Sequence, residues 1–115
     1  MAITEAFANT ATISTTEYSL PNNSTTLTPI TDDGIYQVFI DMSALTATEA
    51  YKLLVKEKVT SGGGQQVVQG QTIVGNMTDD CVVLPSFVFL HGWDVTLQKL
   101  QGTDRSISWS IRKVA

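Results

Sequence analysis

Period-two alternation of apolar and polar residues recurs along the chain at short intervals, with turn residues between the runs. That rhythm is expected of a β-sandwich or barrel. The cleanest run is Arg105 to Ala115, where Ile107, Trp109 and Ile111 alternate with Ser106, Ser108 and Ser110. In Trp93 to Leu100, Trp93, Val95 and Leu97 alternate with Asp94, Thr96 and Gln98. In Ile35 to Met42, Tyr36, Val38, Ile40 and Met42 share a face opposite Gln37 and Asp41. Thr10 to Leu20 is Thr-rich, carries Ile13, Tyr18 and Leu20, and stops at Pro21-Asn22-Asn23-Ser24. Cys81 to Leu90 is almost wholly apolar and reads as a strand covered on both faces. Pro85 inside it points to an edge, a bulge or a break.

Ser43 to Lys58 carries two patterns. Ala44, Ala47, Tyr51, Leu54 and Val55 stand at helical spacing, whereas Tyr51, Leu53, Val55 and Val59 alternate with Lys52, Lys56 and Lys58. The reading adopted is a turn near Thr46 to Glu49, then a strand from Tyr51 to Thr60. Gly62-Gly63-Gly64 follows as a hairpin loop, and Gln65 to Gly75 is the next strand, with a bulge expected at Gly70. The sum is an all-β chain of about seven strands. It forms a single β-sandwich over residues 10–115, for which a jelly roll is a candidate topology. Residues 1–9 are expected as a flexible arm with Phe7 as its anchor.

Composition agrees. Sixteen Thr and nine Ser in 115 residues favour a pleated surface over helix interiors. A net charge of −4 argues against nucleic acid gripped through a basic face and against attraction to an anionic membrane. Cys81 is the only cysteine, so no internal disulfide and no cysteine-based zinc cluster forms. The N-terminus lacks the basic and apolar regions of a signal peptide, and no run reaches the length of a membrane span. A soluble protein made in a reducing compartment is the expectation.

Candidate chemistry is sparse. His91, with Asp94 three residues on and Ser86 nearby, has none of the glycine context of a nucleophile elbow, and a turn histidine before Trp93 is the preferred reading. Asp32-Asp33 and Asp79-Asp80 lack the spaced acids of a calcium loop and read as turns. Gly62 to Gly64 lacks the Lys-Ser/Thr ending of a phosphate loop. Cys81 reads as a small buried hydrophobe, and Arg105, Arg112 and Lys113 as a solvated basic spot. Trp93 and Trp109 are in phase with aliphatic neighbours and read as core. The glycosylation patterns at Asn22, Asn23 and Asn76 carry no weight in a chain read as lacking a secretory signal. No catalytic, cofactor-binding or metal site is assigned, and no cofactor is expected.

Leu90-His91-Gly92-Trp93-Asp94-Val95-Thr96-Leu97-Gln98-Lys99 and Gly102-Thr103-Asp104-Arg105-Ser106-Ile107-Ser108-Trp109-Ser110-Ile111-Arg112 resemble small structural proteins of tailed bacteriophages. Tyr18-Ser19-Leu20-Pro21-Asn22 and Asp33-Gly34-Ile35-Tyr36-Gln37 fit the same pattern. The resemblance implies a non-enzymatic virion component, similar to head decoration (cement) proteins that brace neighbouring capsid subunits. It implies the major capsid protein as partner, homo-oligomers on the particle, synthesis in the host cytoplasm and a final place on the phage head surface. A neck, tail or tail-tip protein and a glycan-binding surface module are the alternatives. In the decoration reading, residues 1–9 and the first strand contact the shell by strand addition. Deleting the arm is then expected to weaken particle binding and spare the body.

Overall fold

A computed structural model describes residues 2–75 and 80–114. Eight strands form: β1 (Ile3–Ile13), β2 (Tyr18–Ser19), β3 (Gly34–Asp41), β4 (Ala50–Lys58), β5 (Gln65–Val74), β6 (Cys81–Phe89), β7 (Trp93–Gln101) and β8 (Arg105–Val114). They build two antiparallel sheets of four, ordered β1-β8-β3-β6 and β2-β7-β4-β5. Pairing runs β1 with β8, β2 with β7, β3 with β6 and β4 with β5. The chain is thus one long hairpin folded over on itself, and this nesting is the strand order of a jelly roll.

Alternation decides which side chains meet between the sheets. Tyr36, Val38 and Ile40 of β3 and Ile107, Trp109 and Ile111 of β8 face Tyr51, Leu53 and Val55 of β4 and Trp93, Val95 and Leu97 of β7, all buried. At one end this core is aromatic. Trp93 stacks on Phe89 with ring centroids 4.6 Å apart and 9° between planes, and Tyr36 lies 4.6 Å from Trp93. Both tryptophans belong to the core, as their phase with aliphatic neighbours predicts.

Four expectations need correction. Residues 3–9 are not an arm: they begin β1 and continue the ladder, from Ile3 opposite Val114 to Asn9 opposite Trp109. The weak patterning there has a physical cause, because a register shift between Glu5 and Phe7 breaks the period. Phe7 does act as the anchor, edge-on to Trp93 at 5.6 Å, so removing residues 1–9 strips both ladder and core contacts from the body. The run 10–20 is two strands in different sheets. Cys81–Phe89 is not covered on both faces: β6 is an edge strand whose Val82, Leu84 and Phe89 are buried while Cys81, Val83 and Val88 are exposed. Cys81 is therefore an exposed thiol, not a core residue.

Other expectations are met. Pro85 sits on an edge strand beside a register shift between Tyr36 and Val38 of the partner. Residues 43–49 turn and β4 follows. Gly62 to Gly64 lie in the loop between β4 and β5, closed by the Gly63 N–H on the Thr60 carbonyl at 3.1 Å. The bulge expected at Gly70 is a further correction: Gly70 pairs regularly with Leu54, and the extra residue is Val68, because Val55 faces Gln69 and Lys56 faces Val67.

Candidate functional site

The chemistry-bearing side chains collect at three places, each built by strands far apart in sequence. The first is Glu49, just before β4, which is buried. Its carboxylate accepts from the Thr46 backbone N–H (2.7 Å), the Thr103 N–H (2.8 Å) and Nε of Arg105 (2.9 and 3.0 Å). The Thr46 N–H first, then the Arg105 guanidinium, hold its carboxyl down at about 2 from an ordinary 4.5. Gly102, at φ +101°, lies over it, and a Cβ there would come within 2.5 Å of Glu49 Cγ. Tyr51 completes the knot: its hydroxyl donates to the Thr103 carbonyl and accepts from the Arg105 N–H, each at 2.9 Å. A buried, fully bonded carboxylate with a single cation is a structural clamp on the β7–β8 turn.

The second place is the outer side of β7. Asp94 and Thr96 face away from the core, yet both are buried, as is Ser19. Asp94 Oδ1 accepts from the Ser19 hydroxyl (2.7 Å) and the Val95 N–H (2.8 Å). Its Oδ2 has no hydrogen-bond partner among the described residues. Burial pushes the Asp94 carboxyl up to about 6, the Ser19 hydroxyl opposing the rise. Beside it Glu17 bonds Thr96 and pairs with Lys56 Nζ at 2.7 Å. Asn22 donates to the Ser19 oxygen (2.8 Å) and to the Thr28 carbonyl (2.6 Å). The segment between β2 and β3 is thereby tied across the strand.

The third place is the outer face of the β1-β8-β3-β6 sheet. One half is hydroxylic: Thr10 and Ser108 share a hydrogen bond of 2.7 Å, and Ser110 donates to Glu5 at 2.6 Å. The other half is apolar, with Ile35, Val83 and Val88 exposed. Between them lies a shallow depression of about 230 Å³. There the Arg112 guanidinium sits 3.9 Å over the Phe39 ring, in cation–π geometry, with Asp41 and the Cys81 thiol at the rim.

The residues singled out by sequence are not brought together. Asp94 bonds Ser19 and Val95, not His91, and the Ser86 hydroxyl accepts from Gln37 at 3.4 Å. The bend at His91–Gly92 is fixed from β4, where Glu57 accepts from the Leu90 N–H (2.6 Å) and the Gly92 N–H (3.0 Å). Asp32 accepts from the Tyr36 hydroxyl (2.7 Å) and Lys113 Nζ (3.0 Å), which hold its carboxyl below the usual range. Asp79 and Asn76 lie outside the described residues. The three C-terminal cations do not pool: Arg105 pairs with Glu49, Lys113 with Asp32, and Arg112 stacks on Phe39. Among the described residues no group of three or more His, Cys, Asp or Glu side chains is placed to hold a metal. The sequence does not mark Glu49 and Glu17, since their side-chain partners Arg105 and Thr96 stand 56 and 79 residues away.

Comparison with protein-family models, with curated proteins and with solved structures finds no match for this chain.

Proposed function

We propose that the chain is a non-enzymatic structural protein of a phage virion, acting as a head decoration protein that braces neighbouring major capsid protein subunits from the outer surface. The observation that supports this reading is β1. It is an eleven-residue strand on the edge of a sheet, paired with β8 on one side only, and locked to the aromatic core through Phe7. An edge strand offers main-chain donors and acceptors to a partner strand, and a rigid body behind it transmits the load. The sequence resemblance to small tailed-phage structural proteins points the same way.

The reading is tested by counting the chain in purified intact particles, by quantitative mass spectrometry against the shell protein. A small integer ratio to the shell subunit is expected. A count far below the shell protein moves the role to the neck or tail, and absence from the particle overturns a virion role altogether. The glycan-binding alternative receives less support, because Trp93 and Trp109 are both buried and neither presents a ring to stack on sugar.

A further inference from the structure

Four strands lie at sheet edges: β1, β6, β2 and β5. Sheet edges in monomeric proteins are ordinarily blunted by charge, proline, bulges or brevity, because an open edge pairs with any strand that reaches it. Three of these edges carry such devices. β1 has Glu5 beside its register shift, which blunts the start of the strand and leaves Phe7 to Ile13 in unbroken register, β6 has Pro85 at its middle, and β2 is two residues long. β5 differs. It runs ten residues, Gln65–Val74, without charge or proline, and no charged residue occurs between Lys58 and Asp79. Only Ile73 of β5 is buried, and Val67, Val68 and Val74 are about half exposed, at 55%, 49% and 54%. Its one irregularity, at Val68, leaves Gln69 to Val74 in unbroken register with β4.

We infer that the β5 edge pairs with β5 of a second copy of this chain, joining two four-stranded sheets into one continuous eight-stranded sheet across a two-fold axis. The occupant follows from the strand's chemistry. Like meets like across a two-fold, so any charge near the axis would be set against itself, and β5 is the one long edge strand that has neither charge nor proline. An antiparallel two-fold through Gly70 sets Gln69 of each copy opposite Gln71 of the other, both exposed. A glutamine amide carries donor and acceptor together and so complements a second glutamine. The same register places Val68 opposite Thr72, a β-branched pair. Glycine at the axis adds no side chain to the approach.

This inference stands apart from the proposed virion role, since it rests on the edges alone and is read on the purified protein. The test is sedimentation equilibrium of the full chain over a hundredfold concentration range. Three proteins are compared: the wild type, the double variant Gln69→Lys with Gln71→Lys, and Val88→Lys on the β6 edge as control. Wild type and control are expected at twice the 12.5 kDa chain mass. The double variant is expected at the monomer mass throughout, with its strand circular dichroism unchanged. If the double variant loses that signal, Gln71→Lys alone takes its place. A monomeric wild type overturns the inference, and so does a dimer that survives the β5 lysines or is broken by Val88→Lys.

Discussion

At Glu49 a carboxylate is buried and every strong acceptor site is used, and that arrangement fixes how the protein meets acid. Its folded carboxyl titrates at about 2 and its unfolded one near 4.5. A carboxyl depressed on folding gives stability that is present above the unfolded value and lost as pH falls through the folded one. Stability is therefore expected to fall between about pH 4.5 and 2, and Glu49→Gln to flatten that fall in denaturant titrations. Asp94 works with the opposite sign. Its folded carboxyl stands at about 6 against an ordinary 3.8, so its contribution is full below pH 3.8 and lost as pH rises through 6. Wild-type stability is expected to rise on acidification from pH 7.5 to 5, by up to about 1.4 kcal/mol, which is one pK unit of the linkage. Asp94→Asn should remove that rise, and a rise that persists in the variant would assign it to another group. Gly102 is the third sensitive residue: at φ +101° with Glu49 beneath it, Gly102→Ala should cost about 2 kcal/mol or more, read from the shift in urea midpoint.

Strands were largely legible because each needs only local alternation to be seen. β3, β7 and β8 announce their inward faces residue by residue, and strand is preferred to helix for 51–58 because Tyr51, Leu53 and Val55 alternate with Lys52, Lys56 and Lys58. What was lost needed information from elsewhere in the chain. β1 is broken in phase by the register shift at Glu5/Phe7, so its first half reads as patternless. The apolar run predicts Cys81 inside, but an edge strand exposes alternate members of such a run, and edge position is a property of the whole sheet. The carboxylate clamps at Glu49 and Glu17 are assembled from β4, β7, β8 and the β1–β2 turn, and apart from the Thr46 N–H on Glu49 their partners are distant in sequence. At this scale β1 yields a sharp expectation. Phe7→Ala should destabilise the body by about 2 kcal/mol, a discount on full aromatic truncation because the ring is only half buried. Chemical denaturation with an unchanged m-value would check it, and a variant as stable as wild type would return residues 1–9 to the status of an arm.

For the whole molecule the jelly-roll order sets what the surface can offer. Two sheets packed in a body of 39 × 32 × 20 Å place the aromatic cluster inside, the tied carboxylates at strand ends and the open edges outside. The two open edges of interest belong to different sheets, β1 to one and β5 to the other. A copy that pairs through β5 keeps β1 free, so the self-association inferred above and the proposed attachment to a shell are compatible within one particle. Particle-bound chain is accordingly expected to retain contact with its sister copies when β5 is intact. Cross-linking mass spectrometry on particles carrying the β5 lysine variant should lose those sister links.

The nested pairing also dictates the order of events when the chain folds. β8 is the strand between β1 and β3, and β7 the strand between β2 and β4, so both sheets are bridged by residues 93 to 114. A growing chain that has reached residue 90 holds both strands of the β3–β6 and β4–β5 ladders but neither central strand that joins them to the rest, while β1 has its partner about a hundred residues away. Pairings so distant in sequence make for slow closure. During that interval the chain carries unmatched strand edges, and residues 93–114 act as the fastener that turns two ladders into one body.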